Sequence, residues 1–214
     1  MRRKQACAAG LILLLGWPLA AAAQLPLRFV AGQDYQVLEQ PLPAAESDVV
    51  DVIEFFLYAC SHCYDLDDAV TEWAGTLPEH AHFRRVPVLF GNHGEAYARL
   101  FYAADNLGVL ELLHSKTFTA IHEAGRRLTA LPAIARFMAE ASDVSEQSAL
   151  DALDSESVDR GVAESVAAMK AFRVTAVPSL GIAGKYWVTA RMAGSNQAMF
   201  EVADYLIRRE KASQ

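Results

Sequence analysis

Two cysteines separated by two residues carry the clearest chemistry in this sequence. Cys60 and Cys63 flank Ser61 and His62. A structural zinc site needs four ligands, and the remaining histidines of the chain beyond the motif lack the paired spacing typical of one: His80, His82, His93, His114 and His122. A purely structural disulfide would close only a short loop, and restricting the unfolded chain in this way would stabilise the fold by only roughly 2 kcal/mol. We therefore predict an exchangeable disulfide and no bound metal.

The segments around this CxxC motif predict that it lies at the start of a helix. Val49–Tyr58 is a nearly continuous β-branched and aromatic run, which is typical of a central strand. Helical spacing follows in a set of apolar residues: Cys63, Leu66, Ala69, Val70 and Trp73. Acidic residues occupy the first turns, where the helix dipole favours them: Asp65, Asp67 and Asp68.

A helix start changes the acidity of the first cysteine. Unpaired backbone N–H groups and the positive end of the dipole stabilise the Cys60 thiolate and lower its pKa. His62 adds positive charge or a hydrogen bond; the alternative is a solvated histidine without a role. A decrease of about 3 units favours the dithiol by roughly 4 kcal/mol well above both pKa values, more than the loop closure contributes. The sequence thus predicts an oxidant of other thiols.

Glu54 interrupts the apolar strand six residues before Cys60. A buried carboxylate needs a partner, and we expect it to be Arg84 or Arg85 in the next predicted strand, Phe83–Phe90. A purely structural salt bridge is the alternative to a role in the thiol chemistry.

The N-terminal segment predicts export. Three basic residues at positions 2–4 precede the apolar stretch Ala8–Leu19, and four alanines end at Ala23. This pattern is typical of a cleaved secretory signal peptide, residues 1–23, and the apolar run is too short for a membrane anchor. Cleavage removes Cys7 and leaves the two cysteines of the motif.

Composition narrows the class of protein further. The 214 residues are 53% hydrophobic and 21% charged, as in ordinary globular proteins. A net charge of -7 provides no basic face for phosphates, so we expect no nucleic-acid partner.

The remaining patterns predict an α/β core that is interrupted by helices. Gln33–Glu39 is typical of an edge strand, helical segments run from Gly94 to about Phe172, and a hairpin joins Ser179–Ile182 to Tyr186–Thr189. A last helix starts at Ser195 or Asn196. We predict a discontinuous core domain (residues 24–93 and 173–214) and a helical insertion domain (residues 94–172).

Two segments of the chain resemble the DsbA-type thiol:disulfide oxidoreductases: VIEFFLYACSHCYDLD and FRVTAVPSLGIAGKYWV. The resemblance implies a thioredoxin fold with an inserted all-helical domain, with Cys60 as the exposed nucleophile and Cys63 as the buried resolving thiol. It also implies a cis bond between Val177 and Pro178 that faces the motif, where the backbone pairs with an extended substrate. By the same resemblance Glu54 assists proton transfer to the buried cysteine.

The family also implies a function. We expect a monomeric periplasmic oxidase that needs no cofactor, oxidises unfolded or reduced exported proteins and is reoxidised by a DsbB-type quinone-linked membrane partner. The commonest family motif has Pro-His between the cysteines, whereas this chain has Ser61 and His62, which leaves the redox potential open. The alternatives are a reductase or isomerase of the same fold, and a metal-binding or chaperone-like module.

Overall fold

The structure is a computed structural model that describes residues 28–42 and 49–213. The predicted signal peptide, residues 1–23, lies outside the described residues. The described part contains five strands: β1 (Gln36–Val37), β2 (Val50–Phe56), β3 (Ala81–Pro87), β4 (Ser179–Ile182) and β5 (Tyr186–Thr189). It also contains eight helices: α1 (Ser61–Gly75), α2 (Gly94–Asn106), α3 (Leu110–His122), α4 (Leu131–Ala141), α5 (Glu146–Leu153), α6 (Glu156–Phe172), α7 (Ala190–Ala193) and α8 (Asn196–Lys211).

The strands form one mixed sheet in the order β1-β5-β4-β2-β3. The β2 and β3 strands are parallel and joined through α1, whereas β2 pairs antiparallel with β4 and β4 with β5. Because β2 is covered on both faces, six of its seven residues are buried. The prediction of an interior strand is confirmed, because β2 lies between β4 and β3. The C-terminal end of this strand leads directly to Cys60.

The predicted edge strand is shorter than expected. Only Gln36 and Val37 pair with β5, because the segment before them forms a turn. In this turn the N–H of Gly32 donates to the carbonyl of Tyr35, and the Asp34 carboxylate accepts from the N–H of Val30.

The helical segments predicted from Gly94 to about Phe172 are present as five helices, α2 to α6. The division into domains at residues 93/94 and 172/173 stays a prediction. The short helix α7 was not predicted from the sequence; the Thr189 hydroxyl caps it by accepting from the N–H of Met192. No described helix is long and apolar enough to cross a membrane.

The buried apolar residues of the described segments form three clusters, and two of them meet at α1. The cluster between the sheet and α8 includes Leu66 and Val70 of α1. The cluster inside the helical segment includes Cys63 together with Phe56, the last residue of β2, and Tyr58, which follows the strand. The start of α1 is therefore held at the junction between the sheet and the inserted helices.

Candidate functional site

The CxxC motif forms the first turn of α1, as the sequence predicts. Cys60 is the N-cap residue, and its carbonyl accepts from the N–H groups of Cys63 and Tyr64. Its own N–H donates to the carbonyl of Leu57 at 2.9 Å, which turns the chain after β2. Cys63 is 1% exposed, whereas Cys60 is partly exposed. Both are free thiols, so the structure shows the reduced pair.

The surroundings of Cys60 favour its thiolate. A hydrogen bond from the Cys63 thiol is the largest cause, and the backbone N–H groups of Cys63 and His62 add to it against the effect of burial. Together they lower the Cys60 pKa to about 6. The charge of His62 acts in the same direction but is the smallest of the named causes. The helix start and the neighbouring thiol therefore lower the Cys60 pKa more than the charge of His62 does.

The same hydrogen bond has the opposite effect on Cys63. Donation to the Cys60 thiolate, followed by burial and the nearby negative charges of Cys60 and Glu54, raises the Cys63 pKa far above that of an ordinary thiol. One sulfur of the pair is thus poised as an accessible nucleophile, and the other is held protonated inside the protein. These are the chemical properties that the predicted nucleophile and resolving thiol require.

The Val177–Pro178 peptide bond is cis and lies beside the motif. The Cys60 thiol donates to the carbonyl oxygen of Val177 at 3.8 Å. A groove of about 650 Å³ is lined by Val177 and Pro178, and His62 and Met192 also line it. The structure thus brings Cys60, His62 and Val177 together at one surface.

Glu54 is buried at 3% exposure and pairs with Arg85, which lies opposite it in the β2–β3 register. The Glu54 Oε2 atom accepts from Arg85 Nε at 2.9 Å. Burial is the main reason why the Glu54 pKa is raised to about 7, while Arg85 opposes this rise and Asp67 adds to it. Arg84 is exposed, so Arg85 is the partner among the two candidates.

Two buried polar residues near the start of α1, Asp67 and His114, were not predicted to belong to the site. The sequence places Asp67 among the acidic residues of the first helical turns, but Asp67 is 4% exposed and His114 is 6% exposed. The Asp67 Oδ2 atom accepts from Ser115 at 2.6 Å, and its Oδ1 atom lies 3.2 Å from His114 Nε2. The interval of four residues from Cys63 to Asp67 was a usable signal, since such residues share a helix face. Ala69, which was expected on that face, is exposed instead.

Among residues 28–42 and 49–213, no group of three or more His, Cys, Asp or Glu side chains is arranged to hold a metal ion.

Comparison with known proteins gives consistent results for nearly the whole chain. No family model matches it. It is 33% identical over 189 residues to the thiol:disulfide interchange protein DsbA of Azotobacter vinelandii, covering 88% of each chain. It is also 33% identical over 195 residues to the protein of that name from Pseudomonas syringae pv. tomato, covering 91% of this chain and 90% of the other.

Solved structures agree with these relatives. The crystal structure of Pseudomonas aeruginosa DsbA matches with a TM-score of 0.82 at 30% identity, covering 86% of this chain and 96% of that one. The oxidoreductase DsbA from Xylella fastidiosa matches with a TM-score of 0.80 at 28% identity, covering 86% and 98%. The predicted fold class, an α/β thioredoxin fold with an inserted all-helical domain, is confirmed.

Proposed function

The chain belongs to the DsbA family of thiol:disulfide oxidoreductases, and from this premise we propose that it is a periplasmic oxidase that introduces disulfide bonds into exported proteins. The observation that carries the proposal is the opposite displacement of the two thiol pKa values. The pKa of Cys60 is lowered to about 6, and the pKa of Cys63 is raised far above that of an ordinary thiol. A stabilised thiolate in the reduced form makes the oxidised form a strong acceptor of electrons from other thiols.

The exchange starts from the Cys60–Cys63 disulfide. A substrate thiolate attacks Cys60 Sγ, the bond between the two protein sulfurs breaks, and its electron pair leaves with Cys63 Sγ, which takes up a proton. A second substrate thiolate then attacks the substrate sulfur of the mixed disulfide. Cys60 leaves as a thiolate, the substrate holds a new disulfide, and the protein has gained two electrons.

The groove beside Cys60 supports an extended substrate. The carbonyl of Val177 lies at the nucleophile, and Pro178 begins the turn into β4 without a backbone donor of its own. A substrate that pairs with this backbone is selected through its main chain more than through its side chains. Such a mode suits a protein that oxidises many unfolded or reduced clients.

Glu54 supports the proton transfer at Cys63. Its pKa of about 7 allows it to exchange a proton near neutral pH, and its negative charge raises the pKa of the Cys63 thiol. A carboxyl group with this pKa can supply the proton that Cys63 takes up and receive it again on reoxidation.

The rest of the proposal follows from the sequence and the family. The signal-like pattern of residues 1–23 supports export, and in the periplasm the reduced protein needs an external oxidant. We assign this role to a DsbB-type quinone-linked membrane partner that docks in the same groove, and we propose a monomer that uses no cofactor.

The proposal is tested by mixing the oxidised mature protein with reduced, unfolded ribonuclease A. We expect the ribonuclease to gain disulfides while the protein becomes reduced in equal amount. The Cys60→Ser variant should transfer none. The Cys63→Ser variant, which keeps the nucleophile, should be trapped as a mixed disulfide when it is supplied with an activated disulfide of the substrate.

Equilibrium with glutathione separates the oxidase from a reductase of the same fold. An oxidase should be clearly more oxidising than about −180 mV, the value of protein disulfide isomerase, whereas thioredoxin lies near −270 mV. A value close to that of thioredoxin, together with no net oxidation of ribonuclease, would refute the oxidase.

A further inference from the structure

His114 is a buried histidine that the proposed reaction leaves without a role. It is 6% exposed and stands edge-on to the rings of Phe56 and Phe118, with centroids at 5.0 and 5.3 Å. Both ring nitrogens have polar neighbours: Nδ1 lies 2.9 Å from the Tyr58 hydroxyl and Nε2 lies 3.2 Å from Asp67 Oδ1. These two polar neighbours fix the orientation of the imidazole ring inside the aromatic cluster.

The partners of the ring define its proton arrangement. An ionised carboxylate only accepts hydrogen bonds, so Nε2 carries the proton toward Asp67, and Nδ1 of the neutral ring accepts from Tyr58. Burial lowers the His114 pKa, and the charge of Arg85 lowers it further, while Asp67 opposes both. The ring therefore serves as a neutral donor at neutral pH.

Asp67 connects this donor to the proton-transfer residue. Burial alone would raise its pKa, but the contact with His114 and the hydrogen bond from Ser115 hold it below its usual value. Its Oδ1 atom lies 3.8 Å from Arg85 Nη2, and Arg85 also binds Glu54. Two buried carboxylates thus share one guanidinium, and the charge of Asp67 makes ionisation of Glu54 less favourable.

We propose that His114 is a positioning residue for the thiol chemistry: its Nε2 atom, 3.2 Å from Asp67 Oδ1, keeps that carboxylate ionised, and the ionised Asp67 holds the proton on Glu54, the proton-transfer residue for Cys63. The inference rests on the proposed function, because it concerns the proton that Cys63 takes up. It adds a residue from the inserted helices to a reaction whose other groups lie on the sheet and on α1.

A cavity lets this buried network respond to the pH of the solution. Its volume is about 370 Å³, and β3, α2, α3 and α6 bound it. The charged and titratable groups that face His114 or line this cavity with it are Tyr58, Asp67, Arg84, Arg85, Tyr102, Asp105, Glu111 and Glu164. Among these, Asp67 contacts His114, and Arg85 contacts both Asp67 and Glu54.

The test is the titration of the Glu54 carboxyl carbon, followed by carbon-13 NMR in the oxidised protein. His114→Leu removes the donor, so Asp67 takes up a proton more easily and the Glu54 midpoint should fall by more than about half a pH unit. His114→Gln keeps a neutral donor and should leave the midpoint close to that of the wild type. His122→Leu is the matched control, because this histidine of the same helix contacts the backbone of Tyr58 and not Asp67.

A double-mutant cycle shows whether the effect passes through Asp67. Asp67→Asn should lower the Glu54 midpoint by itself, and adding His114→Leu to it should change the midpoint no further. An unchanged midpoint in His114→Leu, or a full additional shift in the Asp67→Asn background, would overturn the proposal.

The same variants distinguish this inference from the proposed function. The Glu54 titration needs no oxidase activity, so it reports on the network even if wild-type protein fails to oxidise ribonuclease. If the oxidase assay succeeds, the pH profile of Cys63-dependent transfer should move to lower pH in His114→Leu and stay in place in His114→Gln. A profile that does not move with the Glu54 midpoint would contradict the positioning role.

Discussion

The stability of the reduced protein relative to the oxidised protein should depend on pH through Cys60. In the folded reduced state the pKa of this thiol is about 6, against an ordinary value of 9.0. A depressed pKa contributes stability that is fully present above the unfolded pKa and is lost as pH falls through the folded one. The oxidised protein has no thiol at this position to titrate. The difference between the two forms should therefore grow in favour of the reduced form between about pH 6 and pH 9.

The two pKa values set the size of this effect. At pH 7 the folded thiol is mostly ionised and the unfolded thiol mostly protonated, which corresponds to about 1.4 kcal/mol as an upper limit. Because Cys60 is partly exposed, solvent screening reduces this to about 1 kcal/mol. For a chain of this size 1 kcal/mol changes the Tm by roughly 2–4 °C.

Thermal unfolding of both forms, followed by circular dichroism at a series of pH values from 4.5 to 8.5, measures the effect. The quantity to plot is the Tm of the reduced form minus that of the oxidised form. Disulfide loop closure adds a constant to this difference, and groups such as Glu54 that titrate in both forms largely cancel. We expect a plateau below about pH 5 and a rise of roughly 2–4 °C by pH 7.

A control variant isolates the thiolate. Cys60→Ser keeps the resolving thiol but removes the group that ionises, so its Tm should show no rise relative to the oxidised wild type between pH 5 and pH 8.5. A difference in Tm that stays flat up to pH 8.5 in the wild type would refute the argument that hydrogen bonds at the helix start stabilise the thiolate.

Three further predictions concern the surroundings of the motif and the inserted helices. His62→Ala should raise the pKa of the nucleophilic thiol by less than about one unit, because the histidine charge is the smallest named cause; thiolate absorbance at 240 nm checks this, and a return to about 9 would contradict it. The wild type should lose up to about 3 kcal/mol of unfolding free energy as pH rises from about 4.5 to 7, because the raised pKa of Glu54 makes its ionisation in the folded state unfavourable. Glu54→Gln should abolish this loss. Urea unfolding at several pH values measures it, and the same dependence of unfolding free energy on pH in both proteins would count against the prediction. Gly94→Ala should cost about 1–3 kcal/mol, because a Cβ would lie 2.5 Å from the backbone of the preceding loop, whereas Gly75→Ala meets nothing within 4 Å and should cost nothing; similar urea midpoints for both variants would show that the loop yields.

Local patterns were sufficient to predict the parts of the site that depend on one element. The apolar run of β2 and the helical spacing after it place Cys60 at a helix start, and the structure confirms this placement. The ion pair of Glu54 could also be predicted from the sequence, because consecutive strands joined by a helix are commonly parallel neighbours. Arg85 then lies directly opposite in the register.

The contacts of Asp67 could not be predicted in the same way. Its role depends on α3, which is separated from α1 by a strand and another helix along the chain. Only the packing of the inserted helices against the start of α1 brings His114 and Ser115 to this carboxylate. Helical periodicity identifies the buried face of each helix, but it does not show which two faces meet.

Ser61 stands where the commonest family motif has proline, whereas His62 is the same. This difference affects the redox potential only if it changes the groups that lower the Cys60 pKa. The donors to the Cys60 thiolate are the Cys63 thiol and the backbone N–H groups of residues 62 and 63. Ser61 is the first residue of α1 and is exposed. A proline is tolerated at that helix position, since the N–H it lacks has no partner within the helix. Serine and proline therefore leave the same donors aimed at the sulfur, and we infer that this chain keeps the strongly stabilised thiolate that an oxidase needs.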